Sequence, residues 1–201
     1  MNKLFVRSAA LVAGLAVAAS AALAQAWPGK AVNLVVPWPA GGPSDFVARQ
    51  IQNDTQKALG QPLVVENIGG VGGALGVQKM LAGTDGHTLL LGSPLELIIP
   101  PLTLATVKYK PTDLRMVAQL VKAPLVLVAR KDLPANNIEE LLSLAVQGKV
   151  NGKPLSVANT GAGSMFHLVA EKLTQATGAE FIHVPYRGSA PAMGDLMGGQ
   201  V

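Results

Sequence analysis

The sequence predicts an α/β fold built on parallel sheets. A short apolar run, a Gly- or Pro-rich loop and a longer helical segment follow one another at least four times after Pro28. The first run, Ala31–Val36 (AVNLVV), is β-branched and apolar on both faces, as a strand covered from both sides would be. The glycine-rich loops fall after the strands and open the helices, the order in which parallel α/β units are wound.

Each element has its own signal. Pro37–Pro43 is a Pro/Gly loop. Ser44 is placed as the N-cap of the next helix, with Asp45 in its first turn; Phe46, Val47, Ile51, Ala58 and Leu59 form the inward stripe and Gly60 the stop. Leu63–Glu66 is a second strand. The turn Gly69–Gly73 leads into a short helix near Ala74–Leu81, and Thr88–Leu91 is a third strand running into Gly92-Ser93-Pro94. Pro100–Pro111 reads as loop, and Met116–Val121 and Leu125–Ala129 are further apolar runs. Asn137-x-x-Glu140 is a capping box for a helix to about Gln147. Leu155–Ala158 is a buried strand, Asn159–Gly163 a loop, and a helix from Ser164 ends at Thr177 before Gly178. Phe181–Val184 is the next strand, Pro185–Ser189 a loop and Ala190–Met197 the last helix. Pro124–Pro134 is the expected crossover between two lobes, 27–124 and 125–201, the second incomplete where Gly198–Val201 turns toward a further strand.

Residues 1–26 read as a secretion signal. Lys3 and Arg7 precede an apolar run from Ser8 to Leu23, and Ala22-x-Ala24 and Ala24-x-Ala26 both suit signal peptidase, with cleavage after Ala26 preferred. A membrane anchor is the alternative, but the run is shorter than the ~20 residues needed to span and rich in Ala. The expectation is a soluble, exported, periplasmic protein. Removing two of 16 Lys+Arg leaves 14 against 12 Asp+Glu, so the whole-chain charge of +4 falls to +2. With basic residues scattered and only 4% aromatics, no nucleic-acid partner is expected. The absence of cysteine removes thiol nucleophiles, Cys-based zinc sites and iron–sulfur clusters.

Chemistry is concentrated in three strand-to-helix loops: Trp38–Asp45, Asn159–Ser164 and Tyr186–Ser189. Glycine lets backbone approach a ligand, and a helix N-terminus offers unpaired N–H groups with a partial positive charge, so each is a candidate anion site. Such loops lie beyond the carboxyl ends of the strands, where open α/β sheets bind ligands. Gly and Ser in the same places also make ordinary turns and caps. Catalytic readings are weaker. Gly70-x-Gly72-Gly73-x-x-Gly76 has the wrong spacing for a dinucleotide fingerprint, and Phe166 stands where a nucleophile elbow needs glycine after Ser164. A trio of Ser164, His183 and Asp195 has no sequence signal behind it. His167 and Glu171 stand at i, i+4, but without a second His on that helix they point to capping or packing rather than metal. His183 is assigned to a core or pocket edge and His87 to a turn. No enzyme, cofactor or metal is expected.

The segments WPGKAVNLVVPWPAGGPSD (27–45), VVENIGGVGGALG (64–76), DGHTLLLG (85–92) and HVPYRGSAPAMGDLMGGQV (183–201) resemble the extracytoplasmic solute-binding proteins of tripartite tricarboxylate transporters, the Bug/TctC family. The resemblance spans essentially all of the chain after residue 26. It implies a type II-like periplasmic binding protein, two lobes with mostly parallel sheets around a cleft, the second truncated here. It further implies a monomer that binds a small carboxylate (a di- or tricarboxylate, an acidic amino acid or an aromatic acid) and meets the transporter's membrane subunits transiently. The site residues it implies are Trp38, Ala40, Gly41, Gly42, Ser44 and Asp45 on the first lobe, with Ser93 at the cleft edge. Facing them would be Gly161, Ala162, Gly163, Ser164 and His167, with Tyr186, Gly188 and Ser189 nearby.

Three departures stand out. Pro43-Ser44 replaces the family's usual Ser-Thr, Glu96 adds an acid to an apolar segment, and Met165-Phe166 suggests a pocket for a larger or aromatic acid. A carboxylate sensor for a signalling partner, or a fragment that does not bind, are the alternative readings.

Overall fold

The computed structural model describes residues 27–201; residues 1–26, read as a secretion signal, lie outside the described residues. Its first sheet has the order β2-β1-β3 and is wholly parallel, from β1 (Val32–Val36), β2 (Leu63–Asn67) and β3 (Thr88–Leu90). Leu34 stands between Val65 and Leu89 in register. Helix α1 (Pro43–Leu59) covers one face, where Val32, Leu34, Val36, Trp38, Ala48 and Leu63 form a core. Helix α2 (Ala74–Leu81) packs near β1 and β3, and its Ala74 and Val77 join Leu97, Val107 and Tyr109 in a second core. Both faces of β1 are therefore covered, as its apolar pattern requires.

Three local readings are corrected. Gly42, not Ser44, caps α1: Pro43 takes the first helical position, where its fixed φ and missing N–H cost nothing, and the helix begins two residues earlier. The inward stripe is Ala48, Ile51 and Leu59, while Phe46 is 65% exposed and Ala58 also faces solvent. Pro100–Pro111, read as loop, begins inside a short helix, α4 (Ile99–Thr103), which follows another, α3 (Pro94–Leu97). Proline in the first turn of each reads as a breaker in sequence and serves as a helix start in space.

Residues 114–137 carry no helix or strand, and Met116, Val117, Val126 and Leu127 are exposed. Helix α5 (Ile138–Val150) opens at Asn137, whose Oδ1 accepts from Glu140 N–H at 2.9 Å, and runs three residues past the expected end. The second sheet pairs β4 (Ser156–Asn159) with β5 (Ile182–Pro185), again parallel, joined by α6 (Met165–Thr177). Helix α7 (Ser189–Met197) follows β5. Among the described residues no helix is long and apolar enough to cross a membrane.

Candidate functional site

The three strand-to-helix loops come together, and glycines are what let them. Pro39 of the first loop is wedged between Gly69 and Gly188: a Cβ at either position would stand 2.9 Å and 2.5 Å from its Cδ. A Cβ on Gly41 would touch the Cβ of Ala190 in α7 at 4.0 Å. On the other side Thr103 Oγ1, at the end of α4, donates to Gly163 O at 2.9 Å, with Leu104 against the same glycine. The first loop thus touches the third, and the second is tied to the end of α4.

The donors in these loops fall into two sets. One set is engaged internally: Gly41 N–H donates to Asp45 Oδ2 (2.9 Å), Gly161 N–H to Asn159 Oδ1 (2.9 Å) and Ser164 N–H to Gly161 O (3.1 Å). Gly42 N–H and Gly163 N–H make longer bonds, to Pro39 O and His167 Nδ1, each at 3.4 Å. The second set lies in the first helical turns, where N–H groups have no intrahelical acceptor. It comprises Ser44 and Asp45 in α1, Met165 and Phe166 in α6, and Ser189 and Ala190 in α7. Ser164 caps α6, its Oγ accepting from His167 N–H at 3.3 Å. Two buried polar atoms at the loops, Asp45 Oδ1 and Thr160 Oγ1, have no hydrogen-bond partner in the protein. Buried polar groups are almost always satisfied, so these mark places for water or a ligand. Arg49 Nε at 3.0 Å holds the Asp45 carboxyl below the usual carboxylate range, and Gly41 N–H adds to this.

Several residues singled out in the sequence sit in networks of their own. The Trp38 indole N–H donates to Glu96 Oε2 at 3.1 Å, and Ser93 caps α3, its hydroxyl donating to the same Oε2 at 2.8 Å. Ser93 N–H donates to the other oxygen, and the Tyr109 hydroxyl to the Glu96 carbonyl. Glu96 is fully buried, and that burial pushes its carboxyl up to about 6 in spite of these donors. Burial also raises Tyr109 to about 12. In the third loop Tyr186 donates its hydroxyl to Asp195 Oδ2 at 2.8 Å, which raises the phenol. Ala40 and Ala162 are exposed at their loop tips, and Gly188 is buried under Pro39.

Sequence reasoning also missed a cluster. His183 on β5 reaches Glu171 on α6, Nε2 to Oε1 at 3.2 Å, and His167 Nε2 lies 3.7 Å from the same oxygen. The second imidazole comes from a strand, so no spacing along one helix announces it. The signal was there only in the parallel pairing of β4 with β5, which sets His183 beside Val157 and two positions from Asn159.

The chain matches known proteins in sequence and fold. Residues 47–201 match the family model described as the tripartite tricarboxylate transporter family receptor. Protein BugT of Bordetella pertussis is 36% identical over 192 residues, covering 94% of this chain and 57% of that protein. MatC from Rhodopseudomonas palustris, solved with bound malate, superposes with a TM-score of 0.77 at 35% identity, over 87% of this chain and 59% of its own. An R. palustris protein solved with adipate gives 0.70 at 32% identity, over 87% and 58%, and the periplasmic binding protein BugD gives 0.65 at 36%, over the same shares. The chain spans a little over half the length of these relatives. By the family match and the parallel α/β fold, the chain belongs to the tripartite tricarboxylate transporter receptors, the TctC or Bug family of solute-binding proteins.

Proposed function

We propose that the protein is a periplasmic receptor that captures a small carboxylate at its strand-to-helix loops and delivers it to the membrane subunits of a tripartite tricarboxylate transporter. The observation that carries this reading is the meeting of the loops at Pro39 and Gly188, where α1 and α7 begin within contact distance. Helix N-termini favour negative charge through unpaired N–H groups and the aligned peptide dipoles. Ser44, Asp45, Ser189 and Ala190 supply such donors there, and Met165 and Phe166 supply them at α6. Family membership and the malate and adipate bound to two structural relatives support a carboxylate as the ligand. Trp38, Ser93 and Glu96 hold the first loop from behind in this reading, Trp38 and Ser93 both donating to the buried Glu96 carboxyl. No residue of the site is assigned a catalytic role.

A thermal melt against a panel of aliphatic di- and tricarboxylates, acidic amino acids and aromatic acids tests the reading. A ligand that binds only the folded state adds about 2.7 kcal/mol at a hundredfold over its dissociation constant. The expected result is a shift confined to one structural class of acid. A cooperative melt that none of them moves would overturn it.

A further inference from the structure

The cluster of His167, Glu171 and His183 has the composition of a metal site, two imidazoles and a carboxylate whose ligand atoms lie within 4.8 Å of one another. The far side of each ring argues otherwise. A metal-bound histidine uses one ring nitrogen for the ion and donates the other N–H outward to an acceptor. Here both outward nitrogens face donors. His167 Nδ1 faces the backbone N–H of Gly163 at 3.4 Å, and a backbone N–H can only donate. His183 Nδ1 faces the Asn159 side-chain amide at 3.2 Å. That amide cannot turn its oxygen to the ring without breaking a bond, because Asn159 Oδ1 already accepts from Gly161 N–H at 2.9 Å. Asn159 is also 3% exposed, which leaves little room for rearrangement. Both Nδ1 atoms are therefore acceptors, and in the neutral rings the proton sits on Nε2. Both Nε2 atoms lie near one oxygen of Glu171, at 3.2 Å for His183 and 3.7 Å for His167.

Hydrogen bonds run from Gly161 N–H through Asn159 to His183 and from Gly163 N–H to His167, and the Glu171 carboxylate lies between the two Nε2 atoms, 3.2 Å from His183 and 3.7 Å from His167. Both paths begin on the two glycines of the second loop, and both glycines adopt positive φ, 107° and 75°. We propose that Asn159, His183, Glu171 and His167 are positioning residues, two histidines hydrogen-bonded to the second loop at Asn159 and Gly163 and bridged by the Glu171 carboxylate, which together fix the second anion loop and hold no metal. The inference rests on the proposed function only for what the loop is held to do; the cluster itself can be tested without a ligand.

The protein has three histidines, and His87 provides an internal reference. Its Nδ1 lies 2.8 Å from the Asp85 carbonyl and its Nε2 accepts from Gly29 N–H at 3.2 Å, so it carries the opposite tautomer. Nitrogen-15 ring spectra of the 201-residue chain at neutral pH, assigned by His→Gln variants, should show Nε2–H for His167 and His183 and Nδ1–H for His87. Added zinc should leave the first two unchanged. Asn159→Asp replaces the donor facing His183 with an acceptor while still accepting from Gly161 N–H, and should move the His183 proton to Nδ1. Glu171→Gln, which keeps size but removes the charge between the two rings, should speed hydrogen exchange at Gly161 and Gly163 about tenfold. Exchange at Leu91, whose N–H donates to Val35 in the first sheet, should not change. Nδ1–H on either clustered ring, zinc coordination by the wild type, or an equal loss of protection at Leu91 would overturn the proposal. Tautomers and exchange as expected in a protein that binds no carboxylate would sink the proposed function and leave the cluster standing.

Discussion

At Glu96 the first sheet buries a carboxyl between the Trp38 indole, the Ser93 hydroxyl and the Ser93 N–H. Burial outweighs those donors and lifts its pKa from 4.5 to about 6. A carboxyl raised on folding stabilises the native state fully below its unfolded value, and that contribution is lost as pH rises through the folded value. The shift corresponds to about 2 kcal/mol. Urea midpoints at pH 4 and pH 7 should therefore fall by this much more in the wild type than in Glu96→Gln; equal falls would show that the carboxyl is not desolvated. Trp38→Phe removes one donor from the same buried group and should cost about 1–3 kcal/mol at pH 7, read from the same midpoints. The presence of Glu96 was plain in the sequence, but its partners were not. Trp38 lies 58 residues away, and nothing in local spacing joins an indole in a glycine loop to an acid in a later helix. Asn159 and His183 were hidden for the same reason.

Elements were more legible than their ends. The strands at Val32, Leu63, Thr88, Ser156 and Ile182 follow from short β-branched runs between turn residues, and Gly60 and Gly178 stop their helices in the left-handed conformation that favours glycine. The misread boundaries involve proline: Pro43 moved the start of α1, and Pro100 disguised the end of α4 as loop. Ser164 was legible as a loop hydroxyl and proves to cap α6. Ser164→Ala should cost about 1 kcal/mol in chemical denaturation, with Ser164→Asn recovering most of it. If both variants lose the same amount, the cap is not what Ser164 contributes. The exposed stretch 114–137, with no helix or strand, should be the first region cut in limited proteolysis, with fragment masses locating the sites. First cuts inside α1 or α6 would contradict the order of local stability described here.

At the scale of the whole molecule, the succession of motifs carried the family, and the parallel sheets carried the fold class. The approach of the loops depended on contacts between segments some 150 residues apart, such as Pro39 with Gly188, which composition and periodicity do not contain. Gly188→Ala tests that approach. The backbone there is extended, with φ 164°, so alanine brings no conformational strain, only a Cβ placed 2.5 Å from the Pro39 ring. Overpacking of this kind costs about 1–3 kcal/mol, and here it falls on the contact between the first and third loops. The central claim is that a small carboxylate binds where those loops meet. Calorimetric titration of malate and adipate into the wild-type chain and into Gly188→Ala tests it most directly. Saturable one-to-one binding to the wild type, weakened at least about tenfold in a variant that still melts cooperatively, is the predicted result. Binding undiminished in Gly188→Ala, or no heat from either acid with a folded wild type, would contradict it.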